Sequence, residues 1–437
     1  MDFSSVLPAH LRQLVGDVDQ VFVNGARLLC GFFPEAVQPW IAMLLKIGAI
    51  AAIAPVIMMY LTWIERKLIA RMQNRFGPTR VGIYGLMQPL ADGLKMLIKE
   101  DIVPRGADRL LHLLAPILSV VPAILLFAVL PFGRGMVAAD LNVGLLYVFA
   151  ISSIGSYAIF MGGWASRSKF SVLGAMRSVA QIISYEVPGV LSAVTVIMIA
   201  GTLSTVGIVE DQARHGWYVF TPWGLVGCLL FFLSGVAEVN RTPFDMPEAE
   251  SELVGGFHTE YSGMKFALWY MAEFLESFAI CAFTVTFFLG GWDGPALPFW
   301  MPAALLALLI GTATRLPIPA KGAGVLAMLG AAIYWGGQPL PSWAWFLAKT
   351  YALVFVLVWF RGTFPRLRID QLMGLAWKFF LPLALLNIIA AGLWWSLRES
   401  PPMAWMLSAL LLAAGAWLLV LINQPASLQP RTYLFAE

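Results

Sequence analysis

Charge is what this chain has least of. Of its 437 residues only 12% are Asp, Glu, Lys or Arg, while 59% are apolar. A soluble chain carries about twice that charged fraction, so a soluble globular protein is excluded. Cysteine is scarce as well. Cys30, Cys228 and Cys281 lie far apart and form no CxxC pair, so they offer no iron–sulfur or zinc spacing and read as small apolar packing residues. The four histidines, His10, His112, His215 and His258, show no paired mid-span placement for haem. There is no GxxxxGK(S/T) loop and no convincing dinucleotide fingerprint. By motif, this chain binds no nucleotide, flavin or iron–sulfur centre, and any redox chemistry it serves must come from partner subunits. Twenty-eight basic against 25 acidic residues leave a net charge of +3, too little to imply nucleic acid as a partner.

What the chain has instead is long apolar runs. Stretches of about 20 residues recur along its length, each enough to cross a bilayer core of ~30 Å. The fold class this implies is all-α, a polytopic transmembrane helical bundle. Eight segments stand out, near 41–64, 109–131, 141–163, 181–203, 222–240, 266–290, 343–361 and 373–397. Shorter candidates fall near 299–314, 322–337 and 403–422. The expected organisation is an external or interfacial segment at 1–40, a membrane core at 41–294 and an inserted transmembrane hairpin at 295–342. The last two core spans follow at 343–397, then an extra C-terminal span with its tail at 398–437. The first 40 residues lack the clean apolar core of a cleavable signal and are compatible with an amphipathic surface helix.

The basic residues orient these spans. With all eleven spans and an external N-terminus, 21 of the 28 lysines and arginines fall in inner loops or the C-terminal tail. Five are outer (Arg12, Arg27, Arg134, Arg214 and Arg398), and Lys46 and Lys349 lie within spans near their outer ends. That asymmetry is the positive-inside pattern, so the large loops are expected to be cytoplasmic. Two crossings between residues 295 and 342 keep the later RGTFPRLR segment on the basic side; one crossing would reverse it.

Two inner loops carry chemistry. The first, 65–108, includes ERKLIARMQNRFGPTRVG and then LADGLKMLIKE, which reads as an amphipathic helix at the interface behind repeated Gly and Pro breaks. Its basic density is also what topology alone would produce. The second, EVNRTPFDMPEAESELVGGFHTEYSGMK, packs Glu238, Asp245, Glu248, Glu250, Glu252 and Glu260 between two apolar segments. A solvated helix N-capped by Asp245, with Glu248 three residues on, would tolerate that sequence. Glu186, Glu238 and Glu273, however, lie at the ends of or inside spans. With Lys46 and Lys349 at the outer ends, no basic partner for them is apparent, and acids so placed are suited to proton transfer.

These blocks carry a resemblance. ERKLIARMQNRFGPTRVGIYGLMQPLADGLKMLIKED, SKFSVLGAMRSVAQIISYEVP, the acidic loop running on into FALWYMAEF, and RGTFPRLRIDQLMGLAWKFFLP cover most of residues 60–385 in order. In them the chain resembles the H subunits of proton-pumping NADH–quinone oxidoreductase (respiratory complex I), the counterparts of the mitochondrial first membrane subunit. The resemblance implies a position at the junction of the redox and membrane arms, where such a chain forms much of the quinone chamber and its lipid-facing entrance, with quinone as substrate. Flavin (FMN) and iron–sulfur clusters would sit on partner subunits. Two peripheral quinone-site subunits and adjacent small membrane subunits would be its neighbours, with lipid around them.

By matching motif, Glu65, Arg66, Arg75, Asp92, Asp245, Glu248, Glu250, Glu252, Arg361, Arg366 and Arg368 are expected at the chamber and junction. Glu186, Glu238, Glu260 and Glu273 are expected on an acidic path toward the membrane axis. No metal ligand and no catalytic residue in the strict sense is expected. Glu276 matches no family position and reads equally well as a polar packing residue. The inserted hairpin and the C-terminal span depart from the family's usual eight spans. A bacterial inner membrane is the simplest setting. The alternative is a related ion-translocating component of a membrane-bound hydrogenase or formate-linked complex, where no quinone need bind; a stand-alone transporter and a purely structural anchor are the readings from other classes.

Overall fold

The computed structural model describes residues 18–246, 254–294, 324–325 and 340–422. Among them every regular element is a helix. In chain order these are α1 Val21–Gly31, α2 Gln38–Met72, α3 Gln88–Ile98, α4 Arg109–Leu125, α5 Gly144–Ala165, α6 Lys169–Ala200, α7 Thr205–His215, α8 Pro222–Glu238, α9 Gly263–Phe288, α10 Ser342–Thr363, α11 Ile369–Ser396 and α12 Pro401–Ile422. Eight of the described helices are long and apolar enough to cross a bilayer: α2, α4 with its 3-10 extension to Val129, α5, α6, α9, α10, α11 and α12. Helix α8 is apolar too but, with 17 residues, falls just short of that length.

The apolar runs locate the spans well but not always their starts. Helix α2 continues past residue 64 to Met72, carrying Glu65 and Arg66 on its final turns. Helix α6 begins at Lys169 rather than near 181, which puts Glu186 near its middle and not at its start. The physical reason is the polar stretch 171–181. Ser171, Ser178 and Gln181 are buried by neighbouring protein, so hydropathy does not show that segment as membrane-embedded. The C-terminal span is present as α12. The hairpin expected at 295–342 lies almost wholly outside the described residues, as do 1–17 and the tail beyond Ile422. Helix α9 ends, and α10 begins, on the same face: Lys349 of α10 donates to the carbonyls of Leu289 (2.6 Å) and Asp293 (2.7 Å).

Small residues set the helix spacing, as expected where lipid supplies no hydrophobic drive between helices. A Cβ added at Gly163 of α5 would stand 2.3 Å from the Ala175 Cβ of α6, and one at Gly235 of α8 would stand 2.4 Å from Ile280 Cγ2 of α9. Helix α9 is the most enclosed, with Phe278, Phe283, Phe287 and Phe288 all buried. Around it the outer surfaces of α2, α5 and α12 expose large apolar side chains such as Leu44, Val56, Leu146, Tyr157, Leu410 and Trp417, the surface a lipid-facing helix needs.

Candidate functional site

The site is built at the end of the bundle where the basic loops gather, by a set of backbone ties. Helix α8 ends at Glu238, and Asn240 then adopts a left-handed conformation (φ 54°), which Asn tolerates better than most residues. That turn sends the chain back toward the bundle, and the Arg241 N–H donates to the carbonyl of Val236 at 3.2 Å. Gln181 of α6 clamps the returning segment, its amide donating to the carbonyls of Ala237 (2.7 Å) and Phe244 (2.6 Å). The Leu367 N–H bonds the Pro243 carbonyl at 3.1 Å, which draws the RLR stretch against PFD. Three segments far apart in sequence thereby meet.

At their meeting point is a buried charge network. Arg241, 4% exposed, contacts Glu65 of α2 through Nη1 at 3.0 Å and pairs with Glu273 of α9 through Nε at 2.9 Å. Its guanidinium also lies 4.2 Å from the ring centre of Phe274, a cation–π contact. The other oxygen of Glu65 is paired with Arg361, at the end of α10. Arg361 is partly exposed and Glu65 is not, so the network runs from the bundle surface inward. An uncompensated charge at such depth costs several kcal/mol, and alternating signs are what make the burial tolerable. The expectation that the membrane acids have no basic partner is therefore wrong for Glu273. Arg241 reads as a loop charge because it follows the last apolar residue of α8, but the turn at Asn240 folds it back inside.

Around this core sit further pairs. Arg366 holds the buried Asp245 at 2.8 Å. Arg66, next to Glu65, pairs with Asp92 of α3 at 2.5 Å, and Gln88 donates to the same carboxylate at 3.2 Å. Helix α3 buries none of its residues and leaves Leu90, Leu94, Leu97 and Ile98 exposed, as expected of an amphipathic helix at an interface. Arg75 is exposed on its loop and donates to Gln73 at 2.7 Å, away from the network. Arg368 is exposed at the start of α11, its backbone N–H bonded to Gln371. Glu248, Glu250 and Glu252 lie outside the described residues, as does the helix start expected at Asp245–Pro247–Glu248.

Inward from Arg241 two cavities follow one another. The first is lined by Glu273, Asn240, His258, Trp269, Tyr270 and Glu276. The second is lined by Glu276, Glu238, Glu186 and the hydroxyls of Ser152, Ser156 and Ser234. They share Ser119, Ile159, Val239 and Glu276, so the space between Glu273 and Glu186 is nearly continuous. Glu186 contacts the hydroxyl of Ser153, which also lies 2.8 Å from the Phe149 carbonyl, and Ser152 is within hydrogen-bonding reach of Glu238. Glu260 is half-buried and lines neither cavity; it adjoins His112, whose ring stacks on Tyr261 at 4.0 Å. Helix α6 is held at Glu186 by its neighbour Tyr185, whose hydroxyl donates to the Leu372 carbonyl at 2.9 Å beside a π-helical turn, Ala376–Phe380.

Sequence reasoning misses three members of this arrangement: Arg241 as a bridge, Glu276 as a cavity residue, and the serines of α5. A signal for the last is present in the polar run SSIGS at 152–156 within an otherwise apolar span.

The bundle is thus a multi-pass all-α membrane protein with a charge network at one end and an internal polar passage leading from it. A family model described as NADH dehydrogenase matches residues 45–392. The chain is 44% identical over 380 residues to an NADH-quinone oxidoreductase H subunit (form 1) of Geobacter sulfurreducens, covering 82% of this chain and 97% of that one. It is 43% identical to the corresponding H subunit (form 2) of Geobacter metallireducens (81% and 95% covered) and 42% identical to that of Geobacillus kaustophilus (81% and 95%). The chain belongs to the H-subunit family of NADH-quinone oxidoreductase, the NADH dehydrogenase membrane subunits of respiratory complex I. It is therefore one membrane component of a multi-subunit oxidoreductase.

Proposed function

We propose that this chain forms much of the quinone-binding chamber of its complex and carries the acidic path that couples quinone reduction to proton translocation. The observation that carries the reading is the alignment of the Arg361–Glu65–Arg241–Glu273 network with two cavities that continue to Glu238 and Glu186. In this reading the large loops face the bacterial cytoplasm and the N-terminus is external. Peripheral quinone-site subunits cover the basic face and bring electrons from flavin and iron–sulfur centres of their own, while adjacent small membrane subunits receive the output.

Reducing a quinone to a quinol takes two electrons and two protons. Until those protons arrive, negative charge builds at the headgroup. Beside a network exposed on one side only, that charge is felt strongly: a unit charge 4 Å from another is worth about 4 kcal/mol at an effective dielectric of 20, against about 1 kcal/mol in water. The first figure is enough to shift a proton equilibrium by nearly three decades. Arg361, Arg366 and Arg66 would orient and stabilise the reduced headgroup. Arg241 would pass the disturbance to Glu273, because the same guanidinium holds Glu65 and Glu273 and cannot strengthen one contact without loosening the other. Protons would then redistribute along Glu273, Glu238 and Glu186 through water and the serine hydroxyls.

The test is the Glu238→Gln variant in the assembled complex. NADH-driven proton pumping is expected to fall at least about tenfold, a floor set below the roughly 10²–10⁴-fold that a positioned proton-transfer group contributes, while assembly persists. Parental pumping by the assembled variant would refute the acidic path.

A further inference from the structure

Between Glu273 and Glu238 there is one more carboxylate. Glu276 lies three residues after Glu273 on α9, so the two side chains share a face of that helix. It is the one carboxylate common to the linings of both cavities: the first also holds Glu273, and the second holds Glu238 and Glu186. Glu273 and Glu238 are the charges that act on it electrostatically. Among the described residues no cation and no hydrogen-bond donor engages it. Facing it are Ser152 and Gly155 of α5, Ser119 of α4, Glu238 and Ser234 of α8, Glu186 of α6, and His258 in the loop before α9.

Two independent features show that the space around it is fitted for water. A Cβ at Gly155 would sit 3.5 Å from Glu276 Oε1, in ordinary contact, so any larger side chain there would fill the room in front of the carboxylate. Ser234, 2% exposed, turns into the same cavity a hydroxyl with no hydrogen-bond partner among the described residues. A buried hydroxyl left without a protein partner is normally satisfied by ordered water.

We propose that Glu276 is a relay carboxylate that hands protons between Glu273 and Glu238 through water in the two cavities. The O–H bond of protonated Glu273 breaks toward a water in the first cavity as that water gives one of its own protons to a Glu276 oxygen. The new Glu276 O–H bond then breaks toward a water in the second cavity, which passes a proton on to the Glu238 carboxylate. The electron pairs stay on oxygen throughout, and Glu276 returns to its starting state. This rests on the acidic-path reading above and adds a member to it.

The experiment compares Glu276→Gln, Glu276→Asp and Glu238→Gln in the assembled complex in membrane vesicles, measuring protons moved per quinone reduced, with complex content read on native gels. Glu276→Gln is expected to lower coupled turnover about tenfold or more. Glu276→Asp should recover most of it, since a shorter carboxylate still exchanges protons through water. Parental pumping by Glu276→Gln while Glu238→Gln fails would overturn the relay and leave the path standing. Parental pumping by both would bring down the path and the relay together. An equal loss in Glu276→Asp and Glu276→Gln would mark a packing role and overturn the relay. Should Glu276→Gln not assemble, Glu276→Asp is read by infrared difference spectroscopy on quinone reduction. A changed carboxyl C=O band relative to the parent is expected, and an unchanged spectrum would overturn the proposal.

Discussion

Glu65 of α2 and Arg241, 176 positions apart in the chain, meet at 3.0 Å in an ion pair closed off from solvent. Neither could be buried alone at acceptable cost, and each is held by a further partner, Arg361 on one side and Glu273 on the other. Removing one member of a buried pair costs about 3–5 kcal/mol, far more than an exposed pair is worth.

Arg241→Gln is accordingly expected to destabilise the chain by about 3–5 kcal/mol. Thermal unfolding of the purified complex measures this. Adding Glu65→Gln to Arg241→Gln should restore part of the loss, because the buried carboxylate, left with only the partly exposed Arg361 as its ion-pair partner, is then neutral. A double variant that loses as much as the two singles combined would show that the pair is uncoupled.

Arg366→Ala removes the guanidinium paired with the carboxylate of Asp245, which is 3% exposed. A penalty of about 1–3 kcal/mol is expected, together with a raised KM for quinone if this pair borders the chamber. Arg398→Ala serves as the contrast, since that side chain lies past the far end of α11 and stacks on Trp395 at 4.6 Å. Equal KM changes in both variants would argue against the assignment of Arg366.

Gly235→Ala brings a Cβ to 2.4 Å from Ile280 Cγ2, closer than real contacts allow. Helices α8 and α9 must separate, at about 1–3 kcal/mol, and the amount of assembled complex on native gels should fall. Pairing it with Ile280→Ala should recover assembly, because the three atoms nearest the added Cβ all belong to that side chain.

On the opposite face, burial and then the neighbouring Asp211 carboxylate raise the Tyr218 phenol above its ordinary value. The folded state thus favours the protonated phenol. Its stabilising contribution is complete below the unfolded value near 10 and is lost as pH rises toward the higher folded one. Stability measured from pH 8 upward should decline past about 10 in the parent, and less steeply in Tyr218→Phe. Superimposable alkaline profiles would contradict this.

Much of the site can be read in the sequence because its blocks are contiguous. ERK, PFD and RGTFPRLR each show as charge where apolar chain is expected, and the motifs point to Glu65, Asp245 and Arg361 as junction residues. Arg241 and Glu276 escape such a reading. Arg241 has the composition of a loop residue, and only the left-handed turn at Asn240 reverses it into the bundle. Glu276 has no motif to announce it, and its part depends on Gly155 of another helix leaving room.

Composition and residue order settle the class and the spans, since few charges and 20-residue apolar runs leave a helical membrane bundle as the stable solution. They also settle the family, through blocks whose order is written in the chain. Which charges face one another was decided only on folding. Ion pairing falls off over a few ångströms, and the ångströms between α2, α8, α9 and α10 are set by glycine contacts and by a glutamine clamp acting across the fold.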